Sequence, residues 1–320
     1  MRVLVTGIYG FIGSYFAKWL SSIEPNVQIV GFGRNSDQQN LQRLYDPSHR
    51  VQLVHGDLCK VSGLCEGIDV VINFAAKTFV DHSLKDRRPF FLSNTSGADA
   101  LMEDATRYNV KRFVQVSTDE VYGQILTGSY KEDALLQPRN PYAWTKACAD
   151  LCAIQRHRTY GFPVIITRTE NNFGPYQHRQ KVLPTFVRTA LNNALLPVYG
   201  DGLHVRCWLH VEEHCRAIWH LILHSFTALA AETVLGHVFH VAGEYELTNI
   251  DLAKLVLRTL GKPEDRIKLI DDRNIRPGHD RRYALDCSKL KATGFTVHQD
   301  LEAKLRETIL WYEENPTWTR

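Results

Sequence analysis

Short apolar runs rich in β-branched residues alternate with longer amphipathic stretches through the first half of the chain. The runs predict strands at Arg2–Thr6, Gln28–Phe32, Val51–His55, Val70–Asn73, Arg112–Ser117 and Pro163–Arg168. The amphipathic stretches predict helices at Phe11–Ser22, Phe90–Tyr108 and Pro141–Tyr160. Apolar strands separated by helices are typical of a parallel sheet covered on both faces. Right-handed crossovers then give a Rossmann-type, doubly wound α/β fold.

After about residue 170 the pattern changes to loop-rich pieces between helices, which we predict at Val182–Leu191, Val211–His224, Thr248–Leu260 and Leu301–Glu314. This half is typical of a smaller, mixed domain that caps the sheet. We expect residues 1–172 to form the first domain, with residues 205–236 returning to it, and residues 173–204 and 237–320 to form the second. No polar linker separates the two, so a ligand is expected in the cleft between them.

The composition of the 320-residue chain, with 44% hydrophobic and 23% charged residues, excludes disorder, collagen and a coiled coil. The longest apolar runs are strand-sized, well short of the ~18 residues that a membrane helix needs. The net charge of +3 is spread along the chain, which predicts no nucleic-acid surface. The N-terminus enters a predicted strand at once, so we expect no signal peptide and a cytoplasmic location.

The cysteines and histidines do not form a recognisable metal-binding motif. Seven cysteines without a CxxC pair are typical of free thiols in a reducing compartment. His210 and His214 have helical spacing, yet the glutamates between them stand at the wrong positions for a zinc-binding HExxH motif. We therefore expect no bound metal.

Three glycines follow the first predicted strand and open the first helix, in the string Thr6-Gly7-Ile8-Tyr9-Gly10-Phe11-Ile12-Gly13. Glycine permits a sharp turn and lets the backbone approach a pyrophosphate, while the helix N-terminus offers free N–H groups. The predicted phosphate-binding residues of a dinucleotide site are therefore Gly7, Gly10, Phe11, Ile12 and Gly13. The GxxGxxG spacing is typical of short-chain dehydrogenases and their extended relatives.

Two later strand ends agree with a dinucleotide site. Asp57 and Leu58 end the third strand, where such proteins contact adenine. Ala75 and Ala76 follow the fourth strand, where small residues let the backbone pass close to the cofactor. The first domain is therefore the predicted NAD(P)-binding domain.

The end of the second strand bears on the choice between NAD⁺ and NADP⁺. An acid at this position holds the ribose 2′-hydroxyl of NAD, but the chain has Arg34 there and no carboxylate until Asp37. Arg34 can pair with a 2′-phosphate through two N–H donors, which slightly favours NADP⁺. An arginine stacked on adenine, or simply solvated, is the alternative.

Tyr142 and Lys146 lie four residues apart in the predicted helix Pro141–Tyr160 and so share one face. A lysine ammonium lowers the pKa of a nearby tyrosine, which favours a phenolate that removes a hydroxyl proton as hydride departs to nicotinamide. Ser117 and Thr118 end the fifth strand at the same cleft. Together these residues predict an alcohol-oxidising centre.

Asp119 and Glu120 follow directly, in the string Ser117-Thr118-Asp119-Glu120-Val121-Tyr122-Gly123. Oxidation of an alcohol does not need two carboxyl groups, whereas elimination of water does. One group removes a proton alpha to a ketone while the other protonates the departing hydroxyl. For this pair taken alone, a solvated turn is the alternative.

The ordered motifs resemble those of the nucleotide-sugar 4,6-dehydratases, a branch of the extended short-chain dehydrogenases, and within it the enzymes that act on dTDP-glucose. The matching strings include Asn73-Phe74-Ala75-Ala76, Val80-Asp81-His82-Ser83, Asn140-Pro141-Tyr142, Asn171-Asn172-Phe173-Gly174-Pro175-Tyr176-Gln177, Trp208-Leu209-His210-Val211-Glu212 and Arg276-Pro277-Gly278-His279-Asp280.

The resemblance implies a redox-neutral reaction in which NAD(P)⁺ is retained. Tyr142 takes the O4 proton while C4 gives up hydride, with Thr118 hydrogen-bonding the oxygen. Glu120 then removes the C5 proton, Asp119 protonates the C6 hydroxyl, water leaves, and hydride returns to C6. The implied product is a nucleoside-diphospho-4-keto-6-deoxyhexose.

The resemblance also implies binding residues and a homodimer. Cofactor-binding residues implied in this way are Asn94, Ser117, Tyr142, Lys146 and Asn172. The implied substrate-binding residues are Phe79, Thr118, Asn171, Lys181, Val182, Pro197, Tyr199, Arg206, His240, Arg276 and His279. The arginines match residues that bind the diphosphate. Dimers of relatives form through the helices matching Phe90–Tyr108 and Pro141–Tyr160. The apolar residues compatible with that interface, and equally with core packing, are Leu101, Ala105, Ala149, Leu151 and Ala153.

Several positions depart from the family pattern, namely Lys77, Phe79, Glu170, Cys207 and His240. Phe79 replaces a substrate-contacting histidine, Glu170 a serine and Cys207 an aspartate. These departures leave the sugar, the base and the cofactor open. The alternatives on this scaffold are a 4-epimerase, a decarboxylase, a 5,6-dehydratase and a non-catalytic NAD(P)-binding protein.

Overall fold

The computed structural model describes residues 1–34, 43, 50–227, 230–273, 275, 279–298 and 300–318. Its strands are β1 (Arg2–Thr6), β2 (Gln28–Gly33), β3 (Val51–His55), β4 (Val70–Asn73), β5 (Arg112–Thr118), β6 (Val164–Thr169), β7 (Asn171–Phe173), β8 (Leu196–Tyr199), β9 (Val205–His210), β10 (Val238–Val241), β11 (Glu246–Thr248) and β12 (Ile267–Ile270).

The described helices are α1 (Phe11–Ile23), α2 (Val80–Lys85), α3 (Arg88–Phe90), α4 (Gly97–Arg107), α5 (Pro141–Tyr160), α6 (Val182–Leu191), α7 (Val211–Ser225), α8 (Ala231–Val234), α9 (Asn249–Thr259), α10 (Ser288–Ala292) and α11 (Leu301–Glu314). A π-helical segment, Phe91–Ser96, joins α3 to α4, so the predicted helix Phe90–Tyr108 is interrupted. None of these helices combines the length and apolar character needed to cross a membrane.

Within the described residues, seven parallel strands form the main sheet, in the order β10-β6-β5-β4-β1-β2-β3. The chain builds outward from β1 through β2 to β3, and then crosses to the other side of β1 to add β4. This reversal creates a switch point between β1 and β4, where open α/β sheets bind ligands. The predicted Rossmann-type, doubly wound α/β fold is confirmed.

The strand β10 corrects part of the predicted domain division. Residues 237–320 are expected in the second domain, but Val238–Val241 pairs in parallel with β6, with Val238 opposite Ile166. All four residues of this strand are buried, as a strand covered on both faces requires. These residues therefore belong to the main sheet.

Helices cover both faces of the sheet and form separate cores. On one face α1 packs against α7, and Phe16, Leu20 and Ile218 are fully buried there. On the other face α4 packs against α5, and Leu101 and Ala149 are fully buried. Burying each large apolar side chain contributes about 1.5–3 kcal/mol, so both helical layers are fixed firmly to the sheet.

The second lobe contains two small sheets, in the orders β11-β9-β7 and β12-β8. The helices α6, α9 and α11 surround its own core, in which Phe173, Leu252 and Leu305 are fully buried. This lobe faces the carboxyl ends of β1, β4, β5 and β6. The loops that follow these strands therefore form one wall of a cleft between the lobes.

Candidate active site

The turn from β1 to α1 is built around glycines. Gly7 has a φ of +69°, and a Cβ at this position would lie 2.8 Å from the backbone nitrogen of Ala75. A Cβ at Gly13 would lie 2.5 Å from the carbonyl oxygen of Gly7. A side chain at either position would force the backbone apart. The predicted residues Gly7, Gly10, Phe11, Ile12 and Gly13 all line the cleft.

The cleft has a volume of about 920 Å³ and extends from this turn to His279 in the second lobe. The first turn of α1 presents backbone N–H groups, and the small residues Ala75 and Ala76 leave room beside them. An anionic pyrophosphate needs such a side-chain-free cradle at a helix N-terminus. The residues present therefore fit NAD(P)⁺.

Arg34 and Asp57 lie together at the end of the cleft predicted to hold adenosine. Their closest atoms, Nη1 and Oδ2, are 3.4 Å apart, and both side chains are substantially exposed. Asp57 also accepts a hydrogen bond from the Cys59 N–H, which is the main cause of its lowered pKa. A long, exposed ion pair stabilises little, so the guanidinium is held only weakly. Asp37 lies outside the described residues.

Asn94 does not line the cleft, which corrects its predicted role as a direct cofactor ligand. Its side-chain oxygen accepts from the Lys77 N–H over 2.7 Å, and its Nδ2 donates to Lys77 O and to Thr145 Oγ1, each over 3.0 Å. The amide is buried and fully engaged in these bonds. Asn94 therefore fixes the shape of the loop after Ala76, and contributes to the site only through that loop.

Thr118 ends β5 and caps the 3₁₀ turn Asp119–Tyr122. Its hydroxyl accepts a hydrogen bond from the Glu120 N–H over 3.3 Å and donates one to Oδ1 of Asp119 over 3.0 Å. Glu120 Oε2 in turn accepts from Asn140 Nδ2 over 2.9 Å. Asp119 is buried, Glu120 is half-buried, and both line the cleft. This arrangement excludes the solvated-turn alternative.

Tyr142 and Lys146 project from the first turns of α5. This helix begins at a capping Asn140, whose side-chain oxygen accepts from the Ala143 N–H over 2.8 Å. Tyr142 and Lys146 are both buried and line the same cleft as the carboxyl pair. Lys146 Nζ donates to the carbonyl oxygen of Val116 over 2.6 Å, which fixes the ammonium group beside β5.

Burial controls the ionisation of these groups. It raises the pKa of Asp119 to about 7, with the charge of Glu120 adding to the rise. It lowers the pKa of Lys146 to about 8, and the Asp150 carboxylate opposes that fall. Burial and then the Glu120 charge raise the pKa of Tyr142, while a side-chain hydrogen-bonding contact with Thr118 counteracts them. The predicted lowering of the Tyr142 pKa by Lys146 is thus outweighed by burial.

Arg206 provides a buried cation at the far end of the cleft. Its Nη2 donates to Asp280 O over 2.9 Å and lies 3.2 Å from His279 Nε2, and its guanidinium carbon is 4.6 Å from the ring centroid of Tyr283. His279 Nδ1 is 2.7 Å from a carboxylate oxygen of Asp272. Nδ1 is therefore the protonated nitrogen, and Nε2 accepts from Arg206. A fixed guanidinium that lines a cleft is suited to bind phosphate oxygens.

Phe79 forms an aromatic wall in the cleft. The Lys181 ammonium lies 4.8 Å from the ring centroid of Phe79 and donates to Thr78 O over 3.0 Å. The His178 ring packs edge-on against Phe79, with 4.8 Å between centroids. Phe79 thus provides an apolar contact surface instead of the hydrogen-bonding group of a histidine.

The other predicted residues of the site that line the cleft are Arg34, Asp57, Leu58, Ser117, Asn171, Asn172, Val182, Pro197 and Tyr199. Arg276 lies outside the described residues. His240 is a correction: it was predicted to bind substrate, but it is fully buried in β10 and hydrogen-bonded to Tyr122 over 2.7 Å. Its ring nitrogens face the Tyr122 hydroxyl and the Asp286 carbonyl oxygen, and His240 is not among the residues that line the cleft.

His204, Asp272 and His279 bring metal-ligand atoms within 4.8 Å of one another. The two imidazole rings are stacked, with 4.0 Å between centroids and 15° between planes. One of them accepts a hydrogen bond from Arg206, whose positive charge disfavours a second cation. We assign no metal to this group.

Sequence reasoning missed some lining and supporting residues. Asn140 positions Glu120, and its place before Pro141 at a helix start was a signal for a cap. Tyr283 lines the cleft beneath Arg206, yet nothing local in the sequence indicates that contact. Glu170 also lines the cleft, and burial together with the Asp119 charge raises its pKa well above the ordinary value.

Comparisons with known proteins agree with this geometry. The sequence model of the family described as GDP-mannose 4,6 dehydratase matches residues 4–308. A dTDP-glucose 4,6-dehydratase from Actinoplanes sp. is 41% identical over an alignment of 330 positions, which covers 99% of each chain. The crystal structure of DesIV, a dTDP-glucose 4,6-dehydratase from Streptomyces venezuelae with NAD and TYD bound, superposes with a TM-score of 0.90. It is 39% identical and covers 99% of this chain and 98% of that one. A UDP-glucuronic acid 4-epimerase from Bacillus cereus shares the fold. Its structure superposes with a TM-score of 0.90 and 23% identity, and the match covers 98% of this chain and 100% of that one.

Proposed function

This chain belongs to the GDP-mannose 4,6 dehydratase family, and on that basis we propose that it dehydrates a nucleoside-diphosphate hexose, first among them dTDP-glucose. C4 is oxidised, water is eliminated across C5 and C6, and C6 is reduced, which gives the 4-keto-6-deoxy sugar. The observation that carries the proposal is that Asp119 and Glu120 share one cleft with Tyr142 and Lys146.

NAD(P)⁺, when bound, accepts hydride from C4 and returns it to C6. We propose that residues 1–172, together with 211–241, hold the dinucleotide, and that the sugar nucleotide lies against the second lobe. The segment 211–241 replaces the predicted 205–236, because β9 pairs with β7 and β11 in the second lobe and β10 pairs with β6 in the main sheet. The side-chain-free turn at Gly7 and the anion-binding Arg206, at opposite ends of the cleft, support this division. Lys181 and Tyr199 are the proposed contacts of the nucleoside.

The two carboxyl groups divide the elimination between them. Glu120 is half-buried and oriented by Asn140, and it is the proposed base that removes the C5 proton. Asp119 is buried with a pKa near 7, so it retains a proton in much of the population at neutral pH. It is the proposed acid for the departing C6 hydroxyl. Of two neighbouring carboxyl groups, the one whose pKa is raised by burial is suited to act as the acid.

Proton balance gives Thr118 a second task. In each turnover Tyr142 gains the O4 proton, and Asp119 loses a proton to the departing hydroxyl. Glu120 takes the C5 proton and gives one back when C6 is reduced, so it ends unchanged. Tyr142 then holds one proton too many and Asp119 one too few. The Thr118 hydroxyl contacts Tyr142 and hydrogen-bonds Asp119, so it is the proposed path for returning that proton.

The variant Glu120→Gln tests the proposed elimination. We expect formation of the keto-sugar from dTDP-glucose to fall at least ~100-fold, because the glutamine cannot remove the C5 proton. Hydride transfer from C4 should persist and accumulate as reduced-nicotinamide absorbance. The matched control is Glu103→Gln, which changes an exposed carboxylate on α4 and should turn over normally. Normal turnover of Glu120→Gln would refute the elimination.

Product analysis separates the dehydratase from the alternatives on the same scaffold. Wild-type protein incubated with dTDP-glucose, UDP-glucose and GDP-mannose should convert the first most efficiently to a 4-keto-6-deoxy sugar. A C4 epimer as the product would establish an epimerase instead, and absence of turnover with bound dinucleotide would support a binding protein.

We infer that Arg34 makes the cofactor site tolerant of a 2′-phosphate, with NADP⁺ slightly favoured over NAD⁺. The side chain lines the cleft, and its pairing with Asp57 is long and exposed, so a phosphate can compete for the guanidinium. The relative DesIV has NAD bound in its structure. Selectivity between the two dinucleotides is therefore the property to measure.

We also propose a homodimer formed through α5 and the π-helical segment. Phe91 stacks on Trp144 with 5.6 Å between centroids, and Leu92 on the π-helical segment and Leu151 on α5 are exposed as well. The other residues weighed for this interface, Leu101, Ala105, Ala149 and Ala153, are fully buried within the protomer and serve its core. An exposed apolar patch on this scale is typical of a protein interface.

We propose a cytoplasmic location. The structure describes all seven cysteines, and each carries a free thiol. Free thiols are typical of proteins in a reducing compartment. Fractionation of cells that express the full chain would test this location.

A further inference from the structure

A chain of buried polar side chains runs beneath the catalytic edge. Asp150 on α5 accepts from Arg168 Nε over 2.9 Å, Arg168 Nη1 donates to the Tyr122 hydroxyl, and that hydroxyl lies 2.7 Å from His240 Nε2. All four side chains are at most 2% exposed. Burying polar groups this deeply costs free energy unless they are hydrogen-bonded, so we looked for a function that this buried hydrogen-bonded chain serves.

The direction of each hydrogen bond in this chain is determined. His240 Nδ1 faces the carbonyl oxygen of Asp286 at 3.0 Å, so Nδ1 carries the proton. Burial lowers the pKa of His240 to about 4, which leaves Nε2 as an unprotonated acceptor for the Tyr122 hydroxyl. The Tyr122 oxygen then accepts from Arg168, and Arg168 donates to Asp150. Every donor therefore points along the chain toward an acceptor.

The Asp150 end of this chain lies next to the catalytic helix face. Tyr142, Lys146 and Asp150 follow one another at intervals of four residues on α5 and so share one side of it. Asp150 Oδ2 accepts from Arg168 and from Ser117 Oγ, the latter over 3.0 Å. Its Oδ1 is buried and has no hydrogen-bond partner among the described residues. The carboxylate thus keeps one oxygen unpaired at the base of the site.

Lys146 needs a negative charge nearby. Its ammonium is buried and donates to a neutral carbonyl, and burial favours the uncharged amine. Asp150 follows Lys146 by one helical turn on the same side of α5, and its buried Oδ1 has no hydrogen-bond partner among the described residues. The Asp150 carboxylate counteracts the effect of burial on the lysine. The same carboxylate is a minor contributor to the raised pKa of Tyr142.

We propose that Asp150 is the counter-ion that keeps Lys146 protonated, and that Arg168, Tyr122 and His240 hold this carboxylate in position. Asp150 is a positioning residue, since it acts on the reaction through Lys146. The role in catalysis rests on the proposed function, whereas the charge of Lys146 does not.

The variant Asp150→Asn tests the proposal, because asparagine keeps the shape and removes the charge. Competitive labelling with acetic anhydride across a pH range, followed by peptide mass spectrometry, gives the pKa of Lys146 without reference to turnover. We expect this pKa to fall by about one unit or more, since an opposite charge shifts a neighbouring group by that amount. The alkaline limb of kcat should move down in parallel, so lowering the pH restores activity.

Three further variants complete the test. Asp99→Asn removes an exposed carboxylate that pairs with Arg156 on α5, and should leave the Lys146 pKa unchanged. Asp150→Glu keeps the negative charge, so the pKa of Lys146 should be close to its wild-type value. If Asp150→Asn does not fold because Arg168 is left as a lone buried charge, the double variant Asp150→Asn, Arg168→Gln leaves no such charge and should still show the lowered pKa.

An unchanged Lys146 pKa in Asp150→Asn, or in the double variant where the single one does not fold, would overturn the proposal. So would a loss of kcat that is equal at every pH, which is the signature of a purely structural residue. A wild-type protein that makes no keto-sugar would refute the proposed function instead, and the labelling experiment would still decide the role of Asp150.

Discussion

The hydroxyl of Thr118 donates a hydrogen bond to Oδ1 of Asp119 over 3.0 Å. The Thr118 hydroxyl oxygen also accepts from the Glu120 N–H, and a side-chain hydrogen-bonding contact with Thr118 counteracts the rise of the Tyr142 pKa. A single hydroxyl therefore connects the group that takes up a proton in the oxidation with the group that gives one up in the elimination. The geometry allows the proton to return within the protein, before the product leaves.

Thr118→Val should separate the first turnover from the following ones. Valine keeps the shape of threonine but has no hydroxyl, so the proton on Tyr142 cannot pass to Asp119. We expect the ratio of the steady-state rate to the single-turnover rate to fall by ~10-fold or more, as measured by rapid quench. Thr118→Ser, which keeps the hydroxyl, should retain the wild-type ratio. Equal falls in both rates would show that Thr118 only positions the substrate.

Asp119→Asn should stabilise the folded protein at alkaline pH while abolishing dehydration. Burial raises the pKa of Asp119 from 3.8 to about 7. The folded state therefore binds this proton more tightly than the unfolded state, and stability is lost as the pH rises between those values. Asparagine does not ionise, so the variant does not lose stability in this way as the pH rises. Its Tm should therefore exceed that of wild type by a margin that grows from pH 5 to pH 8. At pH 8 it should correspond to roughly 1–3 kcal/mol.

The control for this stability measurement is Asp265→Asn, an exposed aspartate whose substitution should change Tm equally little at both pH values. A Tm difference for Asp119→Asn that does not depend on pH would contradict the raised pKa of this carboxyl group.

Arg34→Ala should weaken NADP⁺ more than NAD⁺. The Arg34 guanidinium lines this end of the cleft and can pair with a 2′-phosphate, so its loss should raise the Kd for NADP⁺ by ~10-fold. The Kd for NAD⁺ should change little, because Arg34 has no charge to neutralise on a 2′-hydroxyl. Isothermal titration with both dinucleotides measures the difference. Equal effects on the two would show that Arg34 contacts adenine or solvent only.

Trp144→Asp and Leu151→Asp should convert the proposed dimer to monomers. Each substitution places a charge at the centre of the exposed apolar patch, and an unpaired charge buried at an interface is costly. Sedimentation velocity measures the change. Leu195→Asp, at an exposed apolar position in the second lobe, is the matched control and should remain dimeric. A monomeric wild-type protein would refute the interface.

The predicted features that the structure brings to the cleft depend on neighbours in the chain. The glycine turn and the Tyr142–Lys146 spacing are local, because each is set within one turn or one helix. The carboxyl pair after β5 is local as well. Parallel topology then brings these segments to one edge, which explains why a sequence-based prediction of the cleft could succeed.

The predictions that needed correction involve partners far apart in the chain. Asn94 bonds to Thr145, and His240 bonds to Tyr122 across 118 positions. Nothing local distinguishes a histidine that meets a ligand from one that meets a buried tyrosine. His240 contacts Tyr122 because β10 lies beside β6 in the main sheet, and that placement depends on tertiary structure. The network around Asp150 was invisible in the sequence for the same reason.

The proposed transfer of hydride from C4 to C6 is tested most directly with a deuterium label at C4 of the sugar. Wild-type protein is incubated with dTDP-glucose that carries deuterium at C4, and the product is analysed by proton NMR and mass spectrometry. We expect a 4-keto-6-deoxy sugar whose methyl group at C6 carries the deuterium, because hydride removed from C4 returns to C6 of the same molecule. Deuterium recovered at C4 of an epimer, or a 4-keto product without deuterium at C6, would contradict it.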